Sequence, residues 1–476
     1  MQESKFIDNL ANILALSWFG SRWVSQTFRP VGEGRPKAFP QRFLWMAFAS
    51  GHPRTLGWKL TGFESIRSTT RGSCALQSVT MERPRYLTDI HRLDRLSVET
   101  RQHLSEVSEA YSFYANTEYL SLIDWDDPDD PIRRIIIPSR WELEAFGTLD
   151  PSNEKAYLRA PSLQHKYADT ALLMVSRTCA GLCRYCFRKR LFLTNAHHID
   201  DDVSAAFEYI TAHQEITNVL LTGGDALSLP TRRLDTIMTQ LRRIPHVRII
   251  RLGSKMPAFD PARILDDPDL AAVITKHTEL RRRVYVMAHF DHPRELTDAA
   301  LRSIQVLQRA GAIVYNQCPL VTGVNDNADT LALLWKQLAF SGVVSHYLFQ
   351  CRPTVGNAAF SVPIEHGFEI YSEARSRCAG TASKAEFVIS HASGKVQVTG
   401  LTEHHVHMRY SRAHLPRFYG RQLVFRRNAR ARWLDDYSEA RTLLNPETHQ
   451  PNCDARRRPS ATATTCRSTG QRVVAD

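Results

Sequence analysis

The 476-residue sequence has no run of the ~18 consecutive apolar residues that a membrane-spanning helix needs. Its apolar N-terminal patch, residues 10–19, is short and follows Glu3 and Asp8. A secretory signal begins instead with basic residues, so this patch does not resemble one. Both absences argue against a membrane or secreted protein, and we expect a cytoplasmic location.

The sequence also lacks an ordered set of paired cysteines and an evenly spread positive charge. Its nine cysteines are an odd number and only three lie close together, which argues against a disulfide framework. The net charge of +12 comes from the ends, because residues 1–75 carry +6 and residues 401–476 carry +7. We therefore interpret the ends as solvated basic segments, and nucleic-acid binding is the weaker interpretation.

Short β-type runs alternate with longer amphipathic stretches through the middle of the chain. The predicted strands are 171–177, 218–221, 247–252, 284–288, 312–316 and 343–349. The predicted helices between them are 201–213, 234–243, 261–280, 296–310 and 330–340. Six strand–helix units predict an α/β fold with a parallel sheet, closed or partly closed as a barrel. An open doubly wound sheet is the alternative.

The flanking segments differ in character from this middle part. The predicted division is an untyped extension at 1–82, a mainly helical region at 83–165, the barrel core at 166–378, a hairpin segment at 379–415 and a basic, disordered tail at 416–476. The hairpin is expected from two β-type runs, 386–390 and 395–399, on either side of a short turn.

Three cysteines share one loop directly after the first predicted strand. Cys179, Cys183 and Cys186 have the spacing CxxxCxxC, with Tyr185 before the last of them. Three thiolates can bind three irons of a cubane cluster and leave the fourth iron open to a small molecule. A zinc site usually needs four ligands in paired CxxC groups, and no fourth Cys or His has such spacing. The loop therefore predicts a [4Fe–4S] site.

Polar and glycine-rich segments follow the predicted strands. They are residues 222–225, 251–254, 289–293, 315–318 and 350–353. In a barrel of parallel strands, catalytic and binding residues lie at the carboxyl ends of the strands. Each segment is a weak signal alone, but their recurrence at the same end of successive strands predicts one shared site.

These motifs together resemble the lysine 2,3-aminomutase family of the radical S-adenosylmethionine (SAM) superfamily, over residues 83–412. The matching segments are 120–125, 179–190, 221–227, 251–257, 289–293, 316–317, 323–326 and 350–351. The resemblance implies a partial (β/α)6 radical SAM barrel with a helical N-terminal extension. It also implies an isomerase that moves an amino group from Cα to Cβ of a small-molecule amino acid.

The resemblance further implies a [4Fe–4S] cluster, S-adenosyl-L-methionine and pyridoxal 5′-phosphate (PLP) as cofactors. It implies a reductant such as flavodoxin or ferredoxin, and it allows a homo-oligomer. Arg188 is expected to bind the substrate α-carboxylate, which a guanidinium can grip with two hydrogen bonds. The residues expected to help hold SAM are Gly223, Gly224, Asp225 and Gln317.

Lys395 follows Gly394 in the predicted hairpin, where the family has the catalytic lysine that binds PLP as an imine. Imine formation needs an uncharged amine, so such a lysine is usually desolvated or close to other cations. A hairpin lysine that faces water is the alternative.

Two positions depart from the lysine-specific enzymes, in which two aspartates hold the substrate ε-ammonium. This sequence has Arg352 and Ser390 there. A guanidinium would repel an ammonium and attract a carboxylate, so we expect a substrate with an acidic or polar side chain, such as glutamate. The alternative is that Arg352 points outward or pairs with a neighbouring acid. Cys453 and Cys466 are too isolated for the C-terminal zinc site of some relatives, and we predict no zinc.

Two other functions remain open. A relative of the elongation factor P β-lysylation enzyme would isomerise an amino acid for attachment to a translation factor, but Arg352 argues against lysine there too. A non-catalytic iron–sulfur interaction protein is the other alternative, and the presence of Lys395, Arg188 and Gln317 together would be unexpected for it.

Overall fold

The computed structural model describes residues 84–193 and 202–437. The expectations for the extension at 1–82 and for the last part of the tail lie outside these ranges. The strands are β1 (Tyr86–Leu87), β2 (Ala115–Asn116), β3 (Leu158–Ala160), β4 (Leu163–Tyr167), β5 (Thr170–Ser176), β6 (Asn218–Gly223), β7 (Ile249–Ser254), β8 (Arg283–Ala288), β9 (Ile313–Leu320), β10 (Val344–Gln350), β11 (Glu386–His391), β12 (Gly394–Leu401), β13 (His405–Ala413) and β14 (Gln422–Arg426).

Helices connect most of the parallel strands. The α-helices of the described ranges are, in chain order, α1 (Val98–Ala110), α2 (Thr117–Leu120), α3 (Pro131–Ile136), α4 (Ser204–Ala212), α5 (Thr231–Arg243), α6 (Met256–Phe259), α7 (Ala262–Leu265), α8 (Pro268–Lys276), α9 (Asp298–Arg309), α10 (Ala328–Phe340) and α11 (Ile364–Ser376), and α4 to α11 lie between parallel strands. Within the described ranges, no helix has the length and apolar character needed to cross a membrane.

The strands β3 to β14 form one mixed sheet in which they lie in chain order. Strands β5 to β11 run parallel to one another, and antiparallel strands flank this group on both sides. A doubly wound sheet reverses its strand order, so that alternative is wrong. All six predicted strands are present, and β11 adds a seventh parallel strand.

The periodicity of the helices explains how they cover this sheet. In α5, Leu234, Ile237, Met238 and Leu241 recur at helical spacing and are all buried. Buried and partly exposed residues alternate along the parallel strands, as in β7 and β9, so one face of the sheet is fully buried. The carboxyl ends of the parallel strands therefore lie at one edge, where their loops can share a site.

The region 84–165 contains more helical than strand residues, but it also contains strands that the prediction did not specify. Besides three helices it contains β1 paired with β2, and β3 paired with β4, which in turn pairs with β5. The cause is tertiary, because β5 needs a partner on its free edge and β4 supplies one. Such long-range pairing overrides local helix propensity.

The tail is ordered further than predicted. Strand β14 pairs with β13, and Ala431, Trp433, Leu434 and Tyr437 are buried. The predicted disorder from residue 416 is therefore wrong for 416–437, where burial of apolar side chains stabilises a segment with no clear periodicity. The predicted hairpin is present as β11 and β12, but it continues into β13 and β14.

Candidate active site

A cavity of about 590 Å³ is lined by the parallel strands and by the loops at their carboxyl ends. Every site residue predicted from the sequence lines it, although these residues come from segments more than 200 positions apart. They are Cys179, Cys183, Cys186, Arg188, Gly223, Gly224, Asp225, Gln317, Arg352, Ser390 and Lys395. We call this space the central cavity.

The cysteine loop follows β5 and is held by backbone hydrogen bonds to the N-terminal region. The Leu182 amide donates to the Tyr114 carbonyl at 2.8 Å, and the Arg184 amide donates to the Ile135 carbonyl at 2.8 Å. Gly224 packs directly against this loop, where an added Cβ would lie 2.2 Å from the Thr178 carbonyl oxygen. Only glycine permits this approach.

The three thiols fit an iron–sulfur cluster better than a single metal ion. Within the described ranges, no group of three or more His, Cys, Asp or Glu side chains converges on one metal position. A cubane cluster does not need such convergence, because each thiolate binds a different iron. Burial raises the pKa of all three thiols, so a thiolate in this wall needs a cation such as iron beside it.

Asp225 has a structural position in the wall between β6 and β7. One carboxylate oxygen accepts the backbone amides of Lys255 at 2.6 Å and Met256 at 3.1 Å, and the other accepts that of Leu227 at 2.8 Å. These contacts assign its carboxylate to holding the two strand ends together. The backbone of Gly223 and Gly224 and the side chain of Gln317 line the cavity beside it.

Lys395 lies in the cationic half of the cavity. Its ammonium is 3.8 Å from the ring centroid of Tyr347 and 5.1 Å from that of Phe349. The pKa of Lys395 is well below its ordinary value, first because of burial and then because of nearby cations. Those cations are Arg251, Arg412, Arg352 and Lys166. The surroundings therefore favour an uncharged amine.

Glu154 is a cavity residue that the sequence did not indicate. Its carboxylate lies 3.2 Å from Arg188 and 3.7 Å from Arg352, and it also pairs with Arg190. Burial alone would raise the pKa of Glu154, but the three guanidiniums hold it well below the usual range. The residue sits in an isolated turn, Glu154–Tyr157, so no spacing in the sequence connected it to the site.

Arg352 faces the cavity, so the alternative that it points outward is wrong. It also pairs with a neighbouring acid, Glu154, as the other alternative expected. Its guanidinium donates to the Ser390 hydroxyl at 3.2 Å and lies 3.7 Å from the ring centroid of Phe187. Arg352 and Ser390, the two positions that depart from the lysine-specific pattern, are therefore in contact.

Fold and site together define a class of protein: an α/β enzyme whose parallel strands line a cavity that contains three half-buried thiols and a group of cationic side chains. Comparison with known proteins then identifies the family. No family model matches the chain. An Aquifex aeolicus protein whose assignment as an L-lysine 2,3-aminomutase is provisional is 47% identical over 356 residues, which cover 75% of this chain and 95% of that protein.

A second relative is the glutamate 2,3-aminomutase of Clostridioides difficile. It is 32% identical over 301 residues, which cover 62% of this chain and 70% of that enzyme. A radical SAM methyltransferase structure from Sphaerobacter thermophilus has a TM-score of 0.33 and 19% identity, with 48% of this chain and 68% of that chain covered. This structural likeness is too low to carry an argument.

The chain belongs to the lysine 2,3-aminomutase family. It is accordingly an isomerase of the radical SAM class. Membership also implies the family's cofactors, a [4Fe–4S] cluster, S-adenosyl-L-methionine and PLP.

Proposed function

We propose that this chain is a PLP-dependent 2,3-aminomutase acting on a free amino acid with an acidic side chain, such as glutamate. The observation that carries the proposal is the charge of the substrate end of the cavity. Three guanidiniums there share one carboxylate, that of Glu154. Two positive charges remain, and a dicarboxylic amino acid would bring two carboxylates to balance them.

Lysine fits this charge pattern poorly. It would bring one carboxylate for Arg188, but its ammonium would lie near Arg352. Like charges at such distances repel strongly where little water screens them. The glutamate 2,3-aminomutase among the relatives supports a family site that accepts an acidic side chain.

The cationic half of the cavity supports PLP binding at Lys395. A phosphate group favours clustered guanidinium and ammonium groups, and Arg251, Arg412 and Lys166 line the same cavity as Lys395. Arg251 is largely buried, and burial followed by the charge of Arg412 lowers its pKa to about 10. Asp169 pairs with Arg412 at the rim of this group.

Each group then has a defined task. When bound, the cluster and SAM supply the radical that starts the reaction, and PLP carries the migrating amino group. Lys395 holds PLP, Arg188 orients the α-carboxylate and Arg352 orients the side-chain carboxylate. Glu154 keeps the two arginines together, and the aromatic rings beside Lys395 exclude water from the reacting atoms.

The sheet is proposed to curve into a partial (β/α)6 barrel. The support is the unbroken chain order of its parallel strands and the contribution of successive strands to one cavity. We also propose a cytoplasmic location with a small electron carrier, such as flavodoxin or ferredoxin, as the reductant. The free cysteines of the described ranges agree with a reducing compartment.

Covalent attachment of PLP tests the role of Lys395. We expect wild-type protein with PLP to show the visible absorption of a PLP–lysine adduct, and borohydride treatment to fix PLP on Lys395 in peptide mass spectra. Lys395→Ala should lose both signals. Lys166→Ala is the matched control, because it removes another lysine of the same wall and should keep the adduct with weaker PLP binding. An intact adduct in Lys395→Ala would show that another lysine binds PLP.

The substrate is tested by anaerobic incubation with SAM, dithionite, PLP and single amino acids, read by mass spectrometry and NMR. We expect glutamate to be converted in preference to lysine. Arg352→Ala should raise KM for glutamate by roughly 10–150-fold, the cost of one charge-assisted contact. Ser390→Ala removes only the hydroxyl that Arg352 contacts, so it should raise KM for glutamate less than Arg352→Ala does. Turnover of lysine with glutamate ignored would refute the acidic substrate and leave the aminomutase assignment in place.

A further inference from the structure

A buried ion-pair network lies behind the cysteine loop. The Lys255 ammonium is 2.5 Å from the Asp291 carboxylate and 2.6 Å from the Glu295 carboxylate. The Lys255 side chain is 5% exposed and the two acids are 0% exposed. Lys255 follows β7 and the acids follow β8, so adjacent strand ends bring them together. We call these three residues the Lys255 network.

The network contacts the cysteine loop directly. The hydroxyl of Tyr185, which lies between Cys183 and Cys186 in the chain, donates to the Asp291 carboxylate. On the cavity side, Nε2 of His289 is 2.9 Å from the other Asp291 oxygen. The network is therefore one hydrogen bond from the cysteine loop and is shielded from bulk water.

Charges in this position act on the sulfur atoms with little screening. Lys255 lines the central cavity together with Cys183 and Cys186, and its ion pairs connect it to Asp291 and Glu295. A one-electron reduction of a cluster on these sulfurs adds negative charge at the same place. Net charge and hydrogen bonding around the sulfurs are among the factors that set cluster reduction potentials.

We propose that the Lys255 network sets the reduction potential of the [4Fe–4S] cluster, with the ammonium raising it and the two carboxylates lowering it. Lys255 stabilises the reduced cluster by attraction, and Asp291 and Glu295 destabilise it by repulsion. The net charge of the three groups is negative, so the network as a whole favours the oxidised cluster. This inference depends on the cluster alone and not on PLP or the substrate.

The test is a potentiometric titration of the reconstituted full-length protein with dithionite, followed by EPR of the reduced cluster. Lys255→Met should lower the midpoint potential and Asp291→Asn should raise it. The double variant should return toward the wild-type value, because it removes one charge of each sign. Lys255→Arg, which keeps the charge, should stay close to wild type. Iron and sulfide contents are measured for each protein, so that only intact clusters are compared.

Opposite shifts separate an electrostatic role from a structural one. If a substitution only loosened the cysteine loop, the direction of the shift in midpoint potential would not depend on the sign of the charge that is removed. Tyr185→Phe keeps every charge and should shift the potential less than either single variant. Lys276→Met is the remote control, because Lys276 also pairs with an acid, Asp235, at 2.8 Å but lies on the outer surface.

The proposal fails if both single variants shift the potential in the same direction, or if neither shifts it more than Lys276→Met does. If Lys255→Met does not fold or hold a cluster, Asp291→Asn and Glu295→Gln decide the question. Both remove a negative charge, so both must raise the potential. A fall in either would overturn the proposal.

Discussion

Single charged side chains decide the chemistry of each half of the central cavity. Three guanidiniums share the single carboxylate of Glu154 in the central cavity, so an excess of positive charge remains at the substrate end. Lys395 is buried among cations, so its own charge is disfavoured. One end therefore attracts carboxylates, and the other disfavours the charged form of the Lys395 amine.

Lys395 should lower the stability of the PLP-free protein in a pH-dependent way. Its pKa in the fold lies below the ordinary value of 10.5, so the unfolded chain binds the extra proton more readily. The full cost is present below the lowered pKa and is removed as the pH rises toward that of an unfolded lysine. Lys395→Met should therefore raise Tm near pH 7 and make Tm rise less with pH.

Thermal unfolding of PLP-free protein from about pH 6 to about pH 10 measures this effect. Lys276→Met is the control, because Lys276 is exposed and paired with Asp235, so its loss should not raise Tm. A lower Tm for Lys395→Met at neutral pH would contradict the prediction.

At the level of elements, a buried network fastens the cysteine loop to the N-terminal region. The Arg184 guanidinium donates to both Glu142 oxygens at 2.9 Å and to the Ser112 carbonyl at 2.9 Å. Lys189 adds a contact to Glu142 at 3.3 Å. All three charged side chains are buried, so the loop that carries the cluster thiols depends on a segment far from it in sequence.

Glu142→Gln should lower the free energy of unfolding by about 3–5 kcal/mol, because it leaves two buried cations without a counter-charge. The protein should also retain less iron after reconstitution. Urea unfolding and iron analysis measure both effects. Glu144→Gln removes an exposed carboxylate two residues away and should change neither. Equal stability of the two variants would show that Arg184 and Lys189 find other partners.

For the whole molecule, the C-terminal strands and the segment after them complete the sheet and the site. Ser390 on β11 is the register partner of Lys395 on β12. The segment after β14 packs back onto the parallel part, where the Ile364 amide donates to the Ala431 carbonyl at 2.8 Å. Trp433 and Tyr437 are buried there.

A chain that ends at residue 415 should therefore be much less stable than one that ends at Tyr437. The shorter chain loses β14 and the buried side chains after it, each of which stabilises the fold by roughly 1.5–3 kcal/mol. Soluble yield and Tm of the two truncated proteins measure the difference. Equal Tm values would show that the packing of 416–437 adds little to stability.

Local patterns were enough to predict six strands of the parallel sheet, the cysteine loop and the hairpin that carries Lys395. Each of these depends on residues close together in the chain, where spacing and periodicity hold the information. The recurrence of polar segments at the same end of successive strands predicted one shared site, and all of the proposed site residues line one cavity.

Only the tertiary structure showed Glu154 among its arginines, the Lys255 network and the order of residues 416–437. Their partners are distant in sequence, so no local sequence pattern indicates which side chains pair with one another. The sequence by itself determined which chemical groups this protein has and where its strands run. The tertiary structure decided which charged side chains have a partner of opposite charge. Burial and pairing between distant segments determine the free energy of each charged form.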